Sequence, residues 1–216
     1  MDKEFLYDML RTPSVSGHEI ALQKKVIQHM EPVADEILTD ATGDVISVLN
    51  PHAEAKVLLC GHIDEIGFLV TRICEDGMLK VTKAGGIHPV LYLGTHVQVV
   101  CASQILPGVV VTNRTLESKE QVQVEDLFID LGFDSKAECE RYVSIGDPVC
   151  AASEFTELAH GKLAGRALDD RIGAFIILEA LKKPNRRSRQ LRGATRGEET
   201  TMRGAYHTQP VCANWH

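Results

Sequence analysis

Aromatic residues make up only 5% of this 216-residue chain, with a single Trp. A sugar-stacking cleft needs more aromatic surface than that. No apolar run approaches the ~20 residues that span a bilayer, so no membrane partner is expected. The N-terminal stretch MDKEFLYDML has acidic residues and no apolar h-region, so it does not read as a signal peptide. Basic excess is lacking too: 23 Lys and Arg against 30 Asp and Glu give a net charge of -7. Phosphate binding needs a basic surface, so nucleic acid is an unsuitable partner. The six cysteines, at 60, 74, 101, 139, 150 and 212, contain no C-x-x-C pair. Neither a zinc knuckle nor a disulfide framework is suggested, and a reduced, cytoplasmic setting is the expectation.

The chain is long enough for a full core. Residues 3–11 and 18–32 read as helices, the second with Ser16 as N-cap, Glu19 at N3 and Pro32 as its stop. Short strands are expected at 37–39 and 45–49, joined by a turn at 42–44. The apolar run 56–60 predicts a strand buried on both faces of a parallel or mixed sheet. Between about 66 and 159 short β-like runs alternate with Gly and Pro, which predicts a small β-barrel or sandwich inserted into another domain. Residues 124–130 read as one more strand there, and Ser135 to Tyr142 as a short helix with Ser135 as N-cap. Helical period returns at 170–183 and stops at Pro184. The basic stretch from Asn185 to Arg192 then shows neither period, where an α/β fold needs a buried strand.

Three motifs carry chemistry. Gly61-His62-Ile63-Asp64 follows the strand at 56–60, at the strand end where open α/β sheets place their ligands. Ala167-Leu168-Asp169-Asp170-Arg171 opens a helix, and Gly197-Glu198-Glu199 lies near the C-terminus. Singly, each has a plainer reading: a turn, a helix N-terminus preferring acids, a solvated face. Together they supply a ligand set for a two-metal hydrolytic site. His62 offers the imidazole, and Asp64 is placed to orient its other ring nitrogen. Asp169 can bridge two cations roughly 3.5–4 Å apart. Of Glu198 and Glu199, one can bind metal while the other takes a proton from water.

The blocks "GHIDEIGF", "AGG", "ALDDRIG" and "GEETTMRGA", with "VEDLFIDLG" and "IGDPV" between them, resemble the signatures of the tetrahedral, glutamyl and deblocking aminopeptidases. These are co-catalytic metallopeptidases, some of them mislabelled endoglucanases. The match runs from Met1 to about Lys183 and resumes from Gly197 to Tyr206. The resemblance implies an α/β catalytic domain with a mixed sheet, from residues 1–66 and 160–216, carrying a β-barrel-like insertion at 67–159. It implies a metal-dependent aminopeptidase acting on peptide substrates, with two divalent ions (Zn, Co or Mn). Asp64 and Glu198 are then the catalytic residues, Glu198 as general base. His62, Asp169 and Glu199 are the metal ligands, and a cis peptide bond links Asp169 to Asp170.

The departures set further expectations. The family uses one more Asp and one more His downstream, and neither has a matching position here, although His207 and His216 exist. The textures at 184–196 and 207–216 read as reading-frame disruption and an early stop. Impaired turnover and weaker association than the family's dimers to dodecamers are expected, the latter measurable by light scattering. The alternatives from other classes are a catalytically inactive binding or assembly module and a glycoside hydrolase with paired carboxylates. The last leaves His62 without a role.

Overall fold

The computed structural model describes residues 2–39, 44–112, 122–152, 155–183, 190–196 and 198–199. The chain divides into two compact units, Met1–Glu65 with Glu154–His216, and Ile66–Ser153.

The first unit is a mixed sheet with helices. Helix α1 (Lys3–Arg11) starts at Asp2, whose carboxylate accepts the Phe5 N–H at 3.1 Å. Its buried residues, Phe5, Leu6, Met9 and Leu10, form one stripe. Helix α2 (Ile20–Met30) buries Leu22, Val26 and Met30. The expected capping box does not form: the N-cap is Glu19, whose carboxylate instead accepts the Gly17 N–H at 2.6 Å. Strands β1 (Glu36–Thr39) and β2 (Val45–Leu49) pair antiparallel. The turn expected between them falls partly outside the described residues.

Strand β3 (Lys56–His62) pairs in parallel with β12 (Gln190–Arg196), which is itself antiparallel to β2. The sheet order is β1-β2-β12-β3. Two expectations are corrected here. The strand buried along its whole length is β2, while β3 sits at the described edge, is half-buried and exposes Cys60. The patternless stretch at 190–196 is a central strand. Sheet pairing uses main-chain N–H and C=O groups, so edges offered on both sides order a segment that has no strand-like side-chain pattern.

Helix α4 (Leu168–Leu181) buries Ala174, Phe175, Leu178 and Leu181 in a core shared with α1, α2, Val45, Leu49 and Ile63. It packs closely on β3 at Gly61. A Cβ there would lie 2.8 Å from the Ala174 nitrogen and 3.0 Å from its Cα. Backbone cannot yield as a side chain can, so Gly61→Ala is expected to cost about 1–3 kcal/mol. Urea denaturation measures this; an unchanged midpoint would remove the close-approach argument. A short antiparallel pair, β10 (Thr156–Leu158) and β11 (Lys162–Ala164), joined by the 3-10 turn Ala159–Gly161, belongs to the same unit.

The second unit is a closed six-stranded barrel, in the order β4 (Gly67–Ile73), β5 (Leu79–Ala84), β8 (Leu127–Asp130), β7 (Ile105–Thr112), β6 (His96–Val100), β9 (Pro148–Ala151). Every second residue points inward, for example Val97 and Val99 on β6 and Leu127 and Ile129 on β8. Closure leaves no strand edge unpaired. The strand expected at 124–130 is shorter: Val124–Asp126 is a 3-10 turn in which Gln123 and Asp126 cap each other. Ser135 caps the short helix α3 (Lys136–Cys139), accepting the Glu138 N–H at 3.4 Å. Among the described residues no helix is long and apolar enough to cross a membrane.

Candidate metal centre

The site lies within the first unit, at the ends of two neighbouring parallel strands. His62 ends β3, and its register partner on β12 is Arg196. Glu198 and Glu199 therefore follow the central strand as directly as His62 ends the edge strand, and the parallel pairing brings them to one side of the sheet. Asp64 ties the two together. It is fully buried, and its two carboxylate oxygens accept the backbone N–H groups of Glu198 at 2.8 Å and Glu199 at 3.0 Å. Its Oδ1 also lies 3.2 Å from His62 Nδ1. The carboxylate expected to orient the imidazole thus also fixes the Glu-Glu backbone.

The Asp169-Asp170 pair divides its work. The bond between them is cis. Asp170 Oδ1 accepts the Gly173 N–H at 3.0 Å, which makes it the cap of the regular helix. Asp169 has an extended backbone and holds Oδ1 3.4 Å from His62 Nε2. Glu198 Oε2 lies 3.9 Å from the same nitrogen.

The electrostatics follow from this crowding. Burial alone would lower the His62 imidazole, but Asp64, Glu199 and Asp169 outweigh it and raise it to about 9. Burial pushes the Glu199 carboxyl up; Asp64, Glu198 and Asp169 add to this against the opposing pull of His62. For Asp64, burial acts upward, yet the His62 ring, the Glu198 and Glu199 amides and the Ser16 side chain hold it below the ordinary carboxylate range.

Four carboxylates around one imidazole are an electron-rich donor set. Two ligands on a tetrahedral zinc, each about 2.0–2.1 Å from it, sit roughly 3.3–3.4 Å apart. The 3.4 Å between His62 Nε2 and Asp169 Oδ1 matches that spacing, so this pair fits a shared cation. Among the described residues, no three His, Cys, Asp or Glu side chains are gathered closely enough to form a complete cage. His207 and His216 lie outside the described residues.

Sequence reasoning missed Ser16 as a partner of Asp64. It also missed Glu65, Arg166 and Arg171, which form a buried ion-pair network directly behind the site. The only available signal was three charged residues abutting the motifs, which reads equally well as a solvated turn.

The M42 glutamyl aminopeptidase family model matches residues 43–213. The chain is 29% identical over 194 residues to the lysyl aminopeptidase of Pyrococcus furiosus, covering 85% of this chain and 55% of that protein. Its fold is similar to the TET aminopeptidase of the marine sediment archaeon Thaumarchaeota archaeon SCGC AB-539-E09, with a TM-score of 0.90, 30% identity, and coverage of 97% of this chain and 62% of that one. It is also similar to a Thermotoga maritima protein named endoglucanase, with a TM-score of 0.81, 28% identity, and coverage of 96% and 62%. The chain thus spans 55% to 62% of the length of these proteins.

Proposed function

The chain belongs to the M42 glutamyl aminopeptidase family, and we propose from that membership and from the site that the protein is a metal-dependent aminopeptidase releasing N-terminal residues from peptides. The observation that carries this reading is the ligand-like 3.4 Å spacing of His62 and Asp169, with Glu198 at 3.9 Å from the same imidazole nitrogen. His62, Asp169 and Glu199 would hold two divalent ions, Zn, Co or Mn. Such ions would polarise the scissile carbonyl and acidify water.

The chain's own residues supply the rest. Glu198 takes a proton from the attacking water and passes it to the leaving amine. Asp64 holds the Glu198 and Glu199 backbone in register, so the base stays aligned with the scissile bond. The carboxylate excess favours a substrate with a free α-ammonium group, which distinguishes an N-terminus from an internal peptide bond. A catalytic zinc takes about three protein ligands. His62, Asp169 and Glu199 alone give two ions fewer than that, so further donors would complete the set. A cytoplasmic setting suits Cys60, Cys74, Cys101, Cys139 and Cys150, which form no disulfide among the described residues. Homo-oligomeric assembly is a further part of the reading, since a related TET1 peptidase of Pyrococcus horikoshii can form a tetrahedron or an octahedral shell.

The test combines metal analysis of the purified protein with hydrolysis of aminoacyl anilides before and after chelation. Bound cation, hydrolysis abolished by 1,10-phenanthroline and recovery on adding Zn, Co or Mn are expected. Cation binding without hydrolysis would identify a binding module. Chelator-insensitive cleavage of β-glucan would identify a glycosidase.

A further inference from the structure

Behind the site, three segments meet on one carboxylate. Glu65 directly follows Asp64 and is buried, with 2% of its surface exposed. Its Oε1 accepts the Ser14 backbone N–H at 2.9 Å and Arg171 Nη2 at 2.9 Å. Arg166 Nη1 reaches both of its oxygens, at 2.5 and 2.6 Å. The two arginines stand on either side of the stretch 167–170, which carries Asp169. Both ends of that stretch are therefore fastened to a single side chain one residue from Asp64.

The backbone follows the same anchoring. The Glu65 N–H donates to the Ser14 carbonyl at 3.0 Å, and its own carbonyl accepts the Ser16 N–H at 3.2 Å. Arg171 Nε donates to the Ile63 carbonyl at 3.3 Å, between His62 and Asp64 in the chain. Arg166 Nη2 donates to the Arg11 carbonyl at 3.0 Å. The Asp169 side chain is itself 93% exposed. Among the described residues, little packing holds so exposed a side chain toward His62, so its place depends on how its backbone is held.

We propose that Glu65 is a positioning residue that, through Arg166 and Arg171, sets the separation of Asp169 from His62 and so the cation affinity of the centre. This rests on the metallopeptidase reading above. Charged forks suit the task because guanidinium–carboxylate pairing fixes direction as well as distance, whereas apolar packing tolerates sliding. Partners that orient metal ligands typically change affinity by about 10–100-fold when removed.

The experiment titrates Co2+ into metal-free wild-type protein and Glu65→Gln, reading the visible absorption of bound Co2+ and, separately, the thermal midpoint without metal. Glu65→Gln keeps the side chain's size and one acceptor oxygen but loses the charge and half of the fork. The expected result is Co2+ affinity lower by about 10–100-fold with an altered absorption spectrum. A purely structural role would lower the thermal midpoint while leaving affinity and spectrum unchanged, and that result overturns the proposal. If Glu65→Gln does not fold, Arg166→Lys serves; it keeps the charge but gives up the fork, and a smaller loss in the same direction is expected. If wild type binds no Co2+, the metallopeptidase reading fails, and crystal structures of the metal-free proteins decide the positioning claim. There the Asp169 backbone should move about 1 Å from His62, a displacement large enough to disable a catalytic constellation. An unmoved Asp169 overturns the proposal.

Discussion

Replacing Glu198 by Gln is expected to lower kcat for aminoacyl substrates by about 10²–10⁴-fold, the usual contribution of a positioned general base. KM should change little. The reason lies in what the substitution keeps. Gln has the size of Glu, and the backbone N–H that Asp64 accepts at 2.8 Å is untouched. His62 and Asp169 retain their 3.4 Å spacing, so cation binding should survive. Only the proton acceptor is lost. Glu198 is 41% exposed at the side chain, open enough for water to reach it. The neighbouring substitution Glu199→Gln supplies the contrast. It removes a proposed ligand, so it should weaken cation affinity and be partly rescued by raising the cation concentration. Glu198→Gln should not be rescued that way. The assay is steady-state hydrolysis over a range of Zn or Co concentrations, with bound metal measured on the same samples. Equal rates for Glu198→Gln and wild type would remove Glu198 from the mechanism.

The α/β class with a mixed sheet and a β-barrel was legible because those signals are local. The alternation on β6 and β8, the stripe on α1 and the glycine- and proline-punctuated run between β4 and β9 each sit within a few residues of sequence. That the three motifs come near one another is readable from strand ends and a helix start, but the glutamate beside the His62 imidazole nitrogen that faces Asp169 is Glu198, whereas Glu199 was the expected ligand. What could not be read depends on partners far along the chain. Strand β12 is set by the edges of β2 and β3, not by its own composition. Burial of β2 rather than β3 follows from strand order, which periodicity does not encode. Ser16 looked like a helix cap and instead serves Asp64, 48 positions away in the numbering. Glu65 pairs across 101 and 106 residues with Arg166 and Arg171. A charged residue beside a motif has the same appearance whether it faces solvent or anchors the core.

Arg171→Met is expected to destabilise the first unit by about 3–5 kcal/mol, the range for breaking a buried ion pair from one side. The Arg171 side chain is fully buried. Its Nη1 donates to the Met9 carbonyl at 2.6 Å and the Leu10 carbonyl at 3.4 Å, near the C-terminal end of α1, where the helix dipole favours a cation. Its Nη2 donates to Ser14 Oγ at 2.8 Å and to Glu65 at 2.9 Å. Met fills similar space but answers none of these acceptors, which lie too deep for water to replace the lost donors. Glu65 would keep Arg166, so the carboxylate would not be left entirely unpaired, and the loss should fall toward the lower part of the range. Arg171→Lys separates charge from shape. An ammonium has three donors and no planar fork, so it keeps the charge but cannot reach Ile63, α1, Ser14 and Glu65 at once. It should recover part of the loss and no more. Because α1, α2 and α4 all belong to this unit, urea denaturation followed by the far-ultraviolet helix signal reports on it directly. A loss below about 0.5 kcal/mol for Arg171→Met, within the range of ordinary surface substitutions, would mean that packing rather than the guanidinium holds α1 and α4 to the His62 loop. Full recovery by Lys would mean that charge alone suffices there.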